Sequence, residues 1–166
     1  MESYTMQRRA LMQAGTTLLG AAALALPGLV LAQDKPLIEV WKTASCGCCH
    51  DWIAHLETNG FQVKANDVSE VAKTAQRQKF GMPAKLGSCH TGRVDSYVLE
   101  GHVPAREIHK MLKQRPTALG LTVPGMPVGS PGMDGPAYGG QQDPFDVLLV
   151  SRDGRVNVYQ SYPLRS

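Results

Sequence analysis

The 166-residue chain has little cysteine, little charge imbalance and no long uninterrupted apolar run. Four cysteines are too few for a small disulfide-stapled scaffold, which needs a much denser set. Seventeen basic against fourteen acidic residues leave a net charge of +3, with no dense basic stripe, so nucleic acid is not an expected partner. With 43% hydrophobic and 19% charged residues the composition is that of a folded globular chain rather than a disordered one, and the length suggests one domain. What is present is unevenly placed: Cys46, Cys48 and Cys49 lie within four positions, and Cys89 stands alone.

Residues 1–32 have the layout of a secretory signal peptide, by the Sec or the twin-arginine route. Arg8 and Arg9 form a basic start, Ala10 to Leu26 is mostly small and apolar, and Val30-Leu31-Ala32 suits cleavage before Gln33. The apolar stretch is short and interrupted by Gln13, Thr16 and Thr17, which argues against a membrane anchor, so no stable span is expected after cleavage. Residues 33–166 are then one domain in an oxidising, periplasmic setting, large enough to fold without staples, and all four cysteines are free for chemistry.

Leu37 to Trp41 reads as a strand, Cys48 to Asn59 as a helix closed by Gly60, and Phe61 to Ala65 as a second strand. Ser69 is placed to cap a helix running to Lys79. This β-α-β-α opening predicts an α/β sheet with a parallel pair. Further on, Tyr97 to Glu100 reads as a short strand, and Pro104 opens a helix with Ala105, Ile108, Met111 and Leu112 on its apolar face, stopped by Pro116. Residues 119–144 read as a long Gly/Pro-rich loop, and 146–150 with 156–159 as a hairpin turning at Asp153-Gly154. A Cys motif between the first strand and helix, with a closing hairpin, predicts a thioredoxin-like arrangement with a central insertion, and Pro127 as its cis-proline.

Cys46 and Cys49 have C-x-x-C spacing, with Cys48 between them. A helix start favours thiolates, which serve disulfide exchange or metal binding. A third thiol offers wrong pairings to a redox enzyme but completes a donor set for a soft metal. Cys89 is followed by His90, and His102 lies in another loop. Met82, Met126 and Met133 sit among Gly and Pro, where packing alone does not favour Met. Thiolate, imidazole and thioether together suit Cu(I), and zinc on the thiolates is the alternative. Two other readings remain open: a thiol–disulfide oxidoreductase using Cys46 and Cys49, and a structural module with Cys46–Cys49 and Cys48–Cys89 bridges. His55 and His109 fall on helices away from the motifs and are expected to be structural.

Cys46-Gly47-Cys48-Cys49, Ser88-Cys89-His90-Thr91, Glu100-Gly101-His102-Val103-Pro104 and the run from Val123 to Met133 together resemble the exported CopG-type copper-resistance proteins, over about Leu37 to Val158. The resemblance implies a thioredoxin-like fold that binds copper through Cys46, Cys48, Cys49 and Cys89, with a role in periplasmic copper handling. It implies copper ions as the ligand, other periplasmic copper-handling proteins as partners, and His90, His102, Met82, Met126 and Met133 as further donors.

Overall fold

A computed structural model describes residues 35–164; the expected signal peptide lies outside them. The chain runs β1 (Leu37–Lys42), α1 (Gly47–Thr58), β2 (Gln62–Asp67), α2 (Glu70–Lys79), β3 (Thr91–Val94), β4 (Tyr97–Glu100), α3 (Ala105–Gln114), β5 (Gly120–Thr122), β6 (Phe145–Val150) and β7 (Val156–Tyr162). The seven strands form one mixed sheet in the order β2-β1-β3-β4-β5-β6-β7. β1 pairs in parallel with β2 and antiparallel with β3, and β4 pairs in parallel with β5. Among the described residues, no helix is long and apolar enough to cross a membrane.

The opening follows the sequence reading closely. Ile38 and Val40 alternate inward along β1, and Trp52 and Leu56 present the apolar stripe of α1 to them. The Ser69 side chain accepts from Ala72 N, so α2 starts where its cap residue predicts. Alternation divides the core into two layers. On β4, Leu99 joins the main cluster with Trp52, Ile108 and Met111, while its neighbour Val98 joins a second cluster of Met82, Leu86 and Val150.

Three expectations are corrected. First, the middle of the chain is no insertion: β3, β4 and β5 lie between β1 and β6 and form the centre of the sheet. Second, the long loop begins after Thr122 rather than at 119, because Gly120–Thr122 is a fully buried strand. Any side chain at Gly120 would collide with the Val98 backbone, so the residue that reads as a loop marker is what lets β5 approach β4. Third, no peptide bond among the described residues is cis, at Pro127 or elsewhere.

Candidate metal centre

Two stretches of chain meet at one end of the sheet. The turn after β1 delivers Cys46 as the N-cap of α1, with Cys48 and Cys49 in its first turn. The β3–β4 hairpin supplies the rest: Cys89 and His90 enter β3, and His102 follows β4. The four cysteine sulfurs lie within 4.8 Å of one another, and Cys89 forms a second group with His90 and His102 on the same criterion. Cys46 and Cys49 are joined as a disulfide, whereas Cys48 and Cys89 are free thiols with Sγ atoms 3.9 Å apart. The Cys48–Cys89 bridge of the structural-module reading is therefore not formed. Cys48 Sγ also lies 3.6 Å from Cys46 Sγ.

Both histidines are oriented by backbone carbonyls. His90 Nε2 lies 3.0 Å from Gly101 O and His102 Nδ1 lies 2.8 Å from Pro131 O. A carbonyl only accepts, so each of these nitrogens carries its proton. The opposite nitrogens, His90 Nδ1 and His102 Nε2, then turn lone pairs to Cys89 Sγ, at 3.2 and 3.1 Å. A thiol has one proton and satisfies only one of them. A metal ion among these three atoms satisfies both, and a carbonyl-fixed tautomer is how protein metal sites commonly hold a ligating imidazole. Burial pushes both imidazole pKa values down, His90 the further, where His102 adds to the effect; both rings stay neutral as ligation requires. Burial and the nearby Cys48 push the Cys89 thiol up to about 12. A metal taken up there therefore displaces a proton.

The surroundings fix these groups. Trp52 stacks on His90 at 4.2 Å between ring centroids and donates from Nε1 to Val103 O at 2.9 Å. Glu100 is completely buried and grips both sides of the Cys89-His90 pair, accepting from Ser88 N and from Thr91 Oγ1 at 2.7 Å each. Arg77 Nη1 reaches the same carboxylate at 3.4 Å. Lys73, itself buried, donates from Nζ to Cys89 O at 3.0 Å and pairs with Glu70 at 2.9 Å. The Gly/Pro-rich loop closes over the start of α1. Gly132 has φ +85°, and a Cβ there would sit 2.6 Å from Cys48 O and 2.7 Å from Trp52 N.

The three methionines divide. Met82, expected at the site, is buried among Leu86, Val98 and Val150. Met133 is nearly buried and accepts a hydrogen bond from Tyr138 OH at 3.2 Å. Met126 is 52% exposed and lines a cleft together with Cys89. His55 and His109 do have structural work: His55 Nε2 accepts from Ala105 N, capping α3, and His109 Nε2 bonds to Asn59 O. The sequence reading missed Glu100, Arg77 and Lys73, because charged residues in short amphipathic segments look like solvent-facing ones. No sequence signal marks these three, since their burial follows only from the fold.

A family described as "Protein of unknown function, DUF411" matches residues 86–133, the segment from Leu86 through Cys89, His90 and His102 to Met133. No curated protein matches the chain. Two solved structures, forms 1 and 2 of a protein named copper resistance protein CopG, are similar to it. They are 45% and 46% identical, each with a TM-score of 0.70, and the matches cover 78% and 77% of this chain and 98% of each of theirs. At that identity over nearly the whole of the relatives, the chain belongs to the family of the copper resistance protein CopG.

Proposed function

We propose that this protein is an exported, periplasmic copper-handling protein whose cysteine cluster holds Cu(I) as its cargo. The observation that carries this reading is the overlap of two donor sets at Cys89: four sulfurs on one side, and on the other two neutral imidazoles already turned toward the same atom. Sulfur and imidazole favour Cu(I) over hard cations, and thiolates able to bridge can hold more than one ion. With Cys46 and Cys49 oxidised, Cys48 and Cys89 are the free thiols; two electrons and two protons convert the disulfide to two further thiols and complete the sulfur set. Met126, in the cleft wall with Cys89, and Met133, held by Tyr138 in the Gly/Pro-rich loop, are read as auxiliary thioethers. We read the first part of the chain as thioredoxin-like. The order β2-β1-β3-β4 with helices after β1, β2 and β4 supports this; in this reading β3–β4 is the hairpin of that unit and β5 to β7 are additions to it.

A second reading draws on the disulfide itself. Cys46 and Cys49 at the start of α1 are placed as the attacking and resolving thiols of a thiol–disulfide oxidoreductase. Elemental analysis with thiol counting on the same reduced sample separates the two. The copper reading expects Cu(I) retained against a moderate chelator and lost in Cys48→Ser or Cys89→Ser; zinc instead of copper, or no retained metal, overturns it. Reduction of a disulfide substrate such as insulin by a metal-free protein, unaffected by Cys48→Ser, establishes the oxidoreductase.

A further inference from the structure

A cleft of about 330 Å³, with Cys89 in its wall, opens to solvent. Its walls are two loops stitched together: Ser88 Oγ donates to Gly125 O, and Gly125 N donates to Gly87 O at 3.3 Å. The cleft is therefore built before anything enters it. It mixes two chemistries. Cys89 and the exposed thioether of Met126 are soft donors, while Arg77 supplies a fixed positive charge.

Arg77 balances the Glu100 charge but leaves most of its donors unused. Its side chain is only 13% exposed, yet the contact with Glu100 is long, at 3.4 Å, and both Glu100 oxygens are already engaged by Ser88 and Thr91. Arg77 Nε is buried with no hydrogen-bond partner, the one such side-chain atom among the described residues. Buried as it is, Nε does not itself face the solvent, but it marks a guanidinium whose donors the chain leaves largely unmatched at the wall of the cleft. A planar guanidinium with free donors is the ordinary receptor for a carboxylate. A cleft of this size takes a small molecule, at the lower end of the usual range for ligand sites.

We propose that this cleft docks a small thiol bearing a carboxylate and carrying Cu(I), with Arg77 receiving the carboxylate while Met126 and Cys89 receive the metal. The proposal rests on the copper reading above and adds the class of donor that brings the metal. The exchange balances without redox change. The carrier's sulfur–copper bond breaks as a bond from copper to Cys89 Sγ forms, the Cys89 thiol proton passes to the departing carrier thiolate, and copper remains Cu(I). Met126 at the rim offers a neutral sulfur to the ion while one thiolate replaces the other.

The test is a comparison of two carriers that differ in the carboxylate. Reduced protein is mixed rapidly with Cu(I) complexed by 3-mercaptopropionate or by 2-mercaptoethanol, and loading is followed by thiolate-to-copper absorbance. The wild-type chain is expected to load about tenfold faster from 3-mercaptopropionate, the worth of one hydrogen bond between charged groups. Arg77→Met is expected to bring the ratio near one, with Arg77→Lys between. Ala84 is exposed and lines the same cleft, so Ala84→Glu supplies a carboxylate from the chain itself and is expected to lower the ratio with Arg77 in place. Should Arg77→Met fail to fold, the wild-type ratio and Ala84→Glu decide. A wild-type ratio near one, or a ratio unchanged in the variants, overturns the proposal. Final copper per chain is read separately: full loading with no carrier preference refutes the docking alone, whereas no retained copper from either carrier refutes the copper reading.

Discussion

Glu100 offers a quantitative check on how the site is held. Its carboxylate is fully buried and holds Ser88 N, Thr91 Oγ1 and Arg77. Glu100→Ala leaves the Ser88 amide without its acceptor, at about 1–3 kcal/mol, and removes the charge opposite a mostly buried guanidinium. Together we expect about 3–5 kcal/mol, a large share of the roughly 5–15 kcal/mol that holds a domain together. Glu100→Gln should behave quite differently. Burial, the largest influence, raises the Glu100 pKa, and the hydrogen bonds and Arg77 only partly oppose it. A folded-state pKa above the unfolded one means that stability is lost as pH rises through it, so the ionised form is carried at a cost at neutral pH. Glutamine avoids that cost. Its amide oxygen accepts from Ser88 N, and its amide nitrogen donates to Thr91 Oγ1, whose hydroxyl rotates to accept. Glu100→Gln keeps these hydrogen bonds but also leaves Arg77 without its opposite charge, so it should cost about 1–3 kcal/mol in urea unfolding, clearly less than Glu100→Ala, and keep its copper, while Glu100→Ala loses more stability and its copper. Equal destabilisation by the two variants, or full copper retention in a folded Glu100→Ala chain, would refute this account.

Two further predictions follow from the histidines and Met82. His90 and His102 have pKa values lowered from the ordinary 6.5, chiefly by burial. Below pH 6.5 the unfolded chain takes up protons that the folded chain refuses, so metal-free stability should fall as pH drops until the folded pKa values are reached, by up to about 1.4 kcal/mol per pH unit for each histidine. Urea midpoints measured between pH 7.5 and 5 test this; a flat profile contradicts the burial of neutral rings. Met82 packs against Leu86, Val98 and Val150, so Met82→Leu should cost less than about 1.5 kcal/mol and leave copper stoichiometry unchanged. Loss of one copper in that variant would place its thioether among the ligands.

The first half of the fold was legible from local signals: the alternation of β1, the apolar face of α1 carrying Trp52 and Leu56, and the Ser69 cap of α2. β3 and β5 were not. Thr91–Val94 contains Gly92 and Arg93 and has no apolar run, and Gly120–Thr122 is three residues long. Both strands are specified by neighbours on each side rather than by their own composition. The same cause limited the reading of the site. Cysteine spacing announces a cluster locally, but the meeting of Cys89 with His102 depends on the unseen hairpin. The disulfide partners were one of several open alternatives. Arg77 and Glu100 could be found only once their burial was known.

Cys89 and His102 stand thirteen residues apart in sequence, at the two legs of the β3–β4 hairpin. Their separation acts as a ruler. The hairpin has four paired positions on each side and turns through Asp95-Ser96, where Asp95 has φ +50°. Extra residues at that tip would lengthen a turn remote from the sulfurs. One residue added within either strand would slide the pairing and send every following side chain to the opposite face. The geometry of the centre thus depends on a count of residues: insertions at the tip should spare it, but a single-residue change in either leg dismantles it while every cysteine and histidine is still present.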